Sequence, residues 1–154
     1  MKRVAILGST GSVGRQTLDV VKSFPDHLSV VGLAGWRNSE LLKAQIAEFN
    51  PKITWSRGLS DGTENGSDGL EQMATHPDVD VVVVATTGFS SLSPTLAALR
   101  SGKTVALASK EAVVMAGSII QREIQSGGKL FPVDSEPSAI WQCLQGEDQP
   151  IRRL

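Results

Sequence analysis

The chain has 154 residues, 40% of them apolar and 20% charged, and a formal net charge of −1 at pH 7. This length suits one domain with a substantial core, and the balanced charge gives no reason to expect a nucleic-acid or membrane partner. The single cysteine, Cys143, excludes an intrachain disulfide and favours a reducing compartment. The first apolar run, residues 4–7, is too short for a secretory signal or a membrane span, so we expect a cytoplasmic protein.

Short apolar runs alternate along the chain with longer segments of helical period. Predicted strands cover residues 4–7, 29–33, 53–55, 79–85, 104–107 and 130–133, and predicted helices cover 13–23, 39–49, 69–75, 92–101 and 112–125. The strands are nearly continuous apolar runs, which is typical of strands buried on both faces of a parallel sheet. The order predicts an α/β fold, a Rossmann-like doubly wound and mostly parallel sheet with helices on both faces. Residues 56–69 contain four glycines and are predicted to form a mobile surface loop.

A glycine-rich turn, residues 8–14, follows the first strand and opens the first helix. A phosphate site needs a tight turn, free backbone N–H groups and a helix N-terminus, and this segment offers all three. The hydroxyls of Ser9, Thr10 and Ser12 would add donors for phosphate oxygens. The alternative is an ordinary turn that lets the helix pack on the strand, but the position after the first strand favours nucleotide binding.

The end of the second predicted strand has no acidic residue to bind a ribose 2′-hydroxyl and instead carries Arg37. Its guanidinium could hold a 2′-phosphate, which favours NADPH over NADH. The alternative is a solvated arginine in a loop. Thr86 and Thr87, after the fourth strand, would border the same crevice, although capping of the next helix explains them equally well.

Charged residues follow the last two predicted strands. Lys110 is placed to meet a substrate oxygen or phosphate, and Glu111 would serve as the first-turn acid of the next helix. Asp134 and Glu136 flank a serine, and in extended chain they would converge on one spot and attract magnesium or manganese. A helix cap followed by a first-turn acid, with Pro137 in the first turn, explains the same spacing. Cys143 has no visible partner and is predicted to be a core residue.

Three segments together resemble the 1-deoxy-D-xylulose 5-phosphate reductoisomerase family. They are ILGSTGSVG at residues 6–14, ALASKE at 106–111 and PVDSEPSAI at 132–140. The resemblance implies an NADPH- and divalent-metal-dependent enzyme. It would isomerise and reduce 1-deoxy-D-xylulose 5-phosphate, a sugar phosphate, to 2-C-methyl-D-erythritol 4-phosphate in the non-mevalonate route to isoprenoid precursors.

The resemblance also implies a role for each matching residue. The implied cofactor contacts are Gly8, Thr10, Gly11, Ser12, Val13 and Gly14 at the diphosphate and ribose, Arg37 and Asn38 at the 2′-phosphate, and Ser109 and Glu111 on the nicotinamide side. The implied substrate contacts are Lys110, Ser135 and Glu136, with Lys110 and Glu136 catalytic. Asp134 and Glu136 would ligate Mg²⁺, Mn²⁺ or Co²⁺.

The chain departs from the family pattern in two places. Trp36 stands where the family often has glycine, and Pro137 where it usually has histidine. The family's third metal carboxylate, its lid and its C-terminal helical domain would lie beyond residue 154. We therefore expect residues 1–154 to be the NADPH-binding domain of a longer, homodimeric enzyme and to be inactive alone. The competing interpretations are another NADP-dependent aldehyde reductase and a non-catalytic nucleotide-binding module.

Overall fold

The computed structural model describes residues 1–56 and 69–147. Within these ranges strands and helices alternate along the chain. The strands are β1 Lys2–Leu7, β2 Leu28–Gly35, β3 Ile53–Ser56, β4 Val81–Val84, β5 Thr104–Leu107 and β6 Lys129–Pro132. The α-helices are α1 Ser12–Ser23, α2 Ser39–Phe49, α3 Gly69–Thr75, α4 Leu92–Arg100, α5 Lys110–Gln125 and α6 Ser135–Cys143, and a short 3-10 helix, Gly88–Ser91, precedes α4.

All six strands pair in parallel, in the order β3-β2-β1-β4-β5-β6. From β1 the chain continues outwards to β2 and β3 on one side of the sheet, and from β4 it continues outwards to β5 and β6 on the other. The strand order therefore reverses between β1 and β4. A crevice opens at such a switch point beyond the carboxyl ends of the strands, and ligands of doubly wound proteins bind there. The predicted fold class is confirmed.

Successive side chains of a strand point to opposite faces of the sheet, and they pack into two apolar layers, one on each face. Ala5 and Leu7 of β1 pack with α3, α4 and α5, whereas Val4 and Ile6 pack with residues of α1 and α2. Val82 and Val84 of β4 join the first layer and Val83 joins the second. The near-continuous apolar runs of the central strands are therefore buried on both sides, as predicted.

An ion-pair network joins β1 and the approach to β4 at the amino edge of the sheet. The Arg3 guanidinium donates to Asp80 Oδ1 at 2.9 Å and to Asp78 Oδ1 at 3.0 Å, and Lys52 Nζ donates to Asp78 Oδ2 at 3.0 Å. Hydrogen bonds from the side chain and the backbone amide of Arg3 hold the pKa of Asp80 well below its usual range. This edge lies opposite the crevice, so the network stabilises the sheet and does not contribute to the ligand site.

The outer edge of the sheet differs from the prediction. Among the described residues β6 pairs only with β5, and Phe131 is 43% exposed, so the expectation of strands buried on both faces fails there. α6 follows it and buries none of its residues. Consequently Cys143 is exposed, and its prediction as a core residue is wrong.

Several element boundaries also move. β4 is shorter than the predicted 79–85, and α5 begins at Lys110 rather than at residue 112. Ser56 and Gly69 belong to β3 and α3, and the rest of the loop predicted at 56–69 lies outside the described residues. No helix in the described part of the chain is long and apolar enough to cross a membrane.

Candidate cofactor cleft and metal cluster

A cleft of about 670 Å³ opens at the carboxyl edge of the sheet, above β1, β2 and β4. Its walls come from the glycine-rich turn, the end of β2, the buried end of β3 and the segment after β4. The lining residues are Gly8, Thr10, Gly11, Ala34, Gly35, Trp36, Arg37, Asn38, Trp55, Leu70, Ala85, Thr86, Thr87 and Ser90. The cleft therefore stands at the switch point, where the sequence predicted the nucleotide site.

Two glycines of the turn are fixed by close backbone approach. Gly8 has a φ of +93°, and a Cβ there would lie 2.6 Å from the carbonyl oxygen of Ala85 at the end of β4. A Cβ on Gly14 would lie 2.3 Å from the carbonyl oxygen of Gly8. A side chain at either position would push the turn away from the strand or the helix away from the turn.

The turn leaves the start of α1 open to an anion. Gly11 is the N-cap and provides no side chain, and the first intrahelical bond runs from Arg15 N to Gly11 O at 3.0 Å. The N–H groups of Ser12, Val13 and Gly14 have no acceptor within the described ranges. Unpaired amides at the positive end of a helix dipole suit a phosphate.

The three hydroxyls predicted as phosphate donors do not act alike. Thr10 lines the cleft, whereas Ser12 lines a neighbouring groove between α1 and α2. Ser9 is fully buried and points away from the cleft: its Oγ donates to Gln45 Oε1 at 2.8 Å, and its carbonyl accepts from Gln45 Nε2 at 3.0 Å. The prediction that Ser9 donates to phosphate is therefore wrong.

Sequence reasoning missed Gln45, which is only 4% exposed. It lies on α2 one turn after the buried Leu42, so it is a polar residue in the apolar stripe of an amphipathic helix. A buried side-chain amide needs hydrogen-bond partners, so a glutamine in this stripe indicates a contact with another buried polar group. Here it ties α2 to the glycine-rich turn.

Arg37 and Asn38 follow β2 and line the cleft together. Asn38 caps α2 by accepting a hydrogen bond from Leu41 N at 3.0 Å through its Oδ1. Arg37 is exposed and has no ion-pair partner among residues 1–56 and 69–147. Its guanidinium is thus available to an anionic ligand, while Asn38 fixes the backbone beside it.

A chain of hydroxyls connects the cleft to α5. Ser91 Oγ and Ser109 Oγ are 2.9 Å apart and buried, and Ser109 Oγ donates to Glu111 Oε2 at 3.0 Å. The hydrogen bond from its own amide and the one from Ser109 lower the pKa of Glu111. Ser109 and Glu111 do not line the cleft. They are connected to its wall by the hydrogen bond between Ser109 and Ser91, because Ser91 belongs to the 3-10 helix whose Ser90 lines the cleft.

Lys110, Asp134 and Glu136 form a second cluster at the same edge, beyond β5 and β6. Lys110 Nζ lies 3.7 Å from Asp134 Oδ2 and 4.0 Å from Glu136 Oε2. Glu136 Oε2 accepts from Ser135 Oγ at 2.7 Å, and this bond, its own backbone amide and Lys110 lower the pKa of Glu136. Both carboxylates face one cation, the ammonium of Lys110.

The predicted extended-chain geometry of this pair is wrong, although the convergence is confirmed. α6 begins at Ser135, so Glu136 is a first-turn residue and Asp134 is the N-cap. Asp134 Oδ1 accepts from Ser135 N at 3.1 Å, whereas Oδ2 is buried without a hydrogen-bond partner among the described residues. One oxygen caps the helix, which confirms the cap interpretation, whereas the other has no hydrogen-bond partner among the described residues, so the metal interpretation stays a prediction.

Two carboxylates alone do not complete the coordination shell of a metal ion. No group of three or more His, Cys, Asp or Glu side chains placed to hold a metal ion occurs within residues 1–56 and 69–147. The orphaned oxygen of Asp134 and the charged Glu136 nevertheless fit a hard divalent ion, because such ions take oxygen ligands and leave positions for water and substrate.

The parallel sheet, the turn at its switch point and the cleft above them define a Rossmann-like α/β protein. Residues 4–117 match the family model for 1-deoxy-D-xylulose 5-phosphate reductoisomerase. The chain belongs to this family. The 1-deoxy-D-xylulose 5-phosphate reductoisomerase of Thermoanaerobacter sp. (strain X514) is 46% identical over 162 aligned positions, which cover 97% of this chain and 42% of that protein.

Solved structures agree. A crystal structure of DOX-P reductoisomerase in complex with magnesium has a TM-score of 0.86 and 35% identity, covering 93% of this chain and 40% of its own. The Zymomonas mobilis 1-deoxy-D-xylulose 5-phosphate reductoisomerase in complex with NADPH has a TM-score of 0.83 and 35% identity, covering 92% and 41%. The chain thus spans about two-fifths of the length of these relatives.

Proposed function

We propose that residues 1–154 form the NADPH-binding domain of a 1-deoxy-D-xylulose 5-phosphate reductoisomerase and carry two of its metal ligands. The enzyme would convert 1-deoxy-D-xylulose 5-phosphate to 2-C-methyl-D-erythritol 4-phosphate, as a cytoplasmic homodimer of the non-mevalonate pathway. The observation that carries the proposal is that the cleft and the carboxylate cluster share the carboxyl edge of one sheet. Relatives with bound NADPH and with bound magnesium support it.

The cofactor would lie across this edge. The open N-terminus of α1 would hold the diphosphate, with Thr10 beside it, and Arg37 would bind the 2′-phosphate. The nicotinamide would extend towards β5, where Ser109 and the ionised Glu111 fix the wall. Thr86 Oγ1, which is buried in the cleft wall and has no partner among the described residues, would gain one from the cofactor.

The residues that would hold a divalent metal are Asp134, through its unpaired Oδ2, and Glu136. When bound, the metal would supply Lewis-acid polarisation of substrate oxygens, and NADPH would supply the hydride. Lys110 faces the carboxylate pair in the structure and would turn to stabilise negative charge that develops on a substrate oxygen. Ser135 orients Glu136 through its hydroxyl and lowers the pKa of that carboxyl.

Titration calorimetry with NADPH and NADH tests the cofactor assignment. We expect NADPH to bind more tightly, and Arg37→Ala to weaken NADPH at least about tenfold because charge-assisted hydrogen bonds to the 2′-phosphate are lost. NADH affinity should stay unchanged. Arg122→Ala, which removes an exposed arginine from the last turn of α5, is the matched control. Equal affinity for the two nucleotides would contradict the assignment.

Manganese titration followed by electron paramagnetic resonance tests the metal ligands. We expect the chain to bind Mn²⁺ weakly, and Asp134→Asn to abolish this binding because the amide carries no charge. Asp26→Asn, a change at an exposed aspartate before β2, should have no effect. A chain that binds NADPH but has no manganese affinity would favour the non-catalytic nucleotide-binding module.

A further inference from the structure

Trp36 places a large aromatic side chain on the wall of the cleft. It follows Gly35, the last residue of β2, precedes Arg37, and is 50% exposed. Trp55, in contrast, lines the same cleft from β3 and is 9% exposed. A half-exposed indole in the wall of a concave site can add apolar contact area to a bound ligand.

The backbone directly before Trp36 is closely packed. A Cβ on Gly35 would lie 3.2 Å from both Thr10 Cγ2 and Leu42 Cδ2, so the end of β2 is pressed against the glycine-rich turn and α2. The chain then bends before α2 starts at Ser39. Trp36, between this contact and the start of α2, lines the cleft.

The neighbours of Trp36 define which ligand group it would meet. Arg37 is the adjacent cation, and Thr10 and Gly11 of the turn line the same cleft. Trp55 and Leu70 add an apolar floor. An aromatic face and an apolar floor beside a cation suit a flat heteroaromatic base joined to a phosphorylated sugar.

We propose that Trp36 is a specificity-determining residue whose indole stacks on the adenine ring of the cofactor, while Arg37 holds the 2′-phosphate of the same nucleoside. This inference rests on the proposed function and deepens it. Adenosine 2′,5′-bisphosphate, which lacks the nicotinamide half, should then bind at this end of the cleft by itself. Stacking on an aromatic side chain tolerates a change of ring but not its removal.

Titration of the chain with adenosine 2′,5′-bisphosphate, by calorimetry and by tryptophan fluorescence, tests the inference. Trp36→Ala should weaken binding about tenfold, and Trp36→Phe should retain most of the affinity. Trp141→Ala, which removes another partly exposed tryptophan on α6, is the matched control and should bind as the parent does. Fluorescence quenching by the ligand should be smaller in Trp36→Phe than in Trp141→Phe, since both variants keep Trp55 in the cleft.

The outcomes separate this inference from the proposed function. If the parent chain binds neither NADPH nor adenosine 2′,5′-bisphosphate, both are overturned. If the parent binds both ligands but Trp36→Ala binds equally well, only the role of Trp36 is overturned. Tighter binding by Trp36→Ala would also overturn it, because the indole would then obstruct the cleft. Thermal unfolding of each variant, followed by circular dichroism, shows that the fold is retained.

Discussion

At the residue scale, Ser9 and Gln45 join the glycine-rich turn to α2 through two buried hydrogen bonds. Each group satisfies the other: the hydroxyl and the carbonyl of Ser9 meet the carbonyl and the amide of the Gln45 side chain. Asn38 caps α2 and follows Arg37 directly. The diphosphate end and the 2′-phosphate end of the proposed cofactor site are thereby held in one arrangement.

Replacement of Gln45 by leucine should lower the free energy of unfolding by about 1–3 kcal/mol, because Ser9 is left with buried, unpaired polar groups. Urea denaturation measures this loss. NADPH affinity should fall as well, since the turn is no longer fixed to α2. Gln142→Leu is a matched control, because Gln142 donates a similar hydrogen bond to Ser138 on the exposed face of α6. Its effect should stay within about 0.5 kcal/mol.

A combined variant with Ser9→Ala separates the two contributions of Gln45. If the hydrogen bonds carry the effect, Gln45→Leu should cost much less in the Ser9→Ala background than in the parent. Additive losses in the two backgrounds would contradict the pairing and assign the effect of Gln45 to packing alone.

At the element scale, the contact between β1 and the approach to β4 depends on charge. Asp80 accepts from the backbone amide of Arg3 at 2.8 Å and from its guanidinium, and these hydrogen bonds lower the pKa of Asp80. In the unfolded chain an aspartate has a pKa of about 3.9. The folded state therefore binds the proton less readily, so Asp80 stabilises the fold fully above about pH 4 and loses this contribution as the pH falls further.

We expect Asp80→Asn to lower the free energy of unfolding at pH 7 and to have a smaller effect at pH 3, where the parent has begun to lose the same contribution. Urea denaturation at several pH values gives both quantities. Asp26→Asn, a change of an exposed aspartate, is the comparison for the general effect of one charge. A difference between parent and Asp80→Asn that grew as the pH fell would contradict the assignment.

At the scale of the whole molecule, the sheet brings two chemically different sites to one edge. The cleft lies above the central strands, and the carboxylate cluster lies above β5 and β6. The hydroxyl chain from Ser91 through Ser109 to Glu111 lies between them, since Lys110 of the cluster stands next to Ser109. A hydride donor in the cleft and a substrate at the cluster would then be neighbours.

Residues 1–154 alone should bind NADPH and show no turnover of 1-deoxy-D-xylulose 5-phosphate, measured as loss of NADPH absorbance with Mg²⁺ present. Two carboxylates among the described residues leave an octahedral ion largely to water. The Thermoanaerobacter relative is the positive control. Turnover by the chain that Asp134→Asn abolishes would contradict this expectation and show that the site is complete.

Much of the architecture follows from local pattern. The alternation of apolar runs and helical periods predicts the parallel sheet, and the turn at 8–14, Arg37 and Lys110 all follow strands at the edge where ligands bind. The approximate place of each site residue could be predicted because chain connectivity alone puts the carboxyl ends of parallel strands together.

Contacts between distant segments could not be read in the same way. The direction of Ser9 depends on Gln45, which lies 36 residues further along the chain. The exposure of Cys143 depends on which elements pack against α6, and that packing is a property of the whole molecule rather than of any one segment.

The sequence by itself determined the fold class, the family resemblance and the residue types that meet at the carboxyl edge, because these follow from periodicity and from short motifs. Only the tertiary structure decided how each side chain is used there. It assigned one oxygen of Asp134 to the start of α6 and left the other facing Lys110, since a carboxylate binds whichever partners the packing of separate elements brings to it.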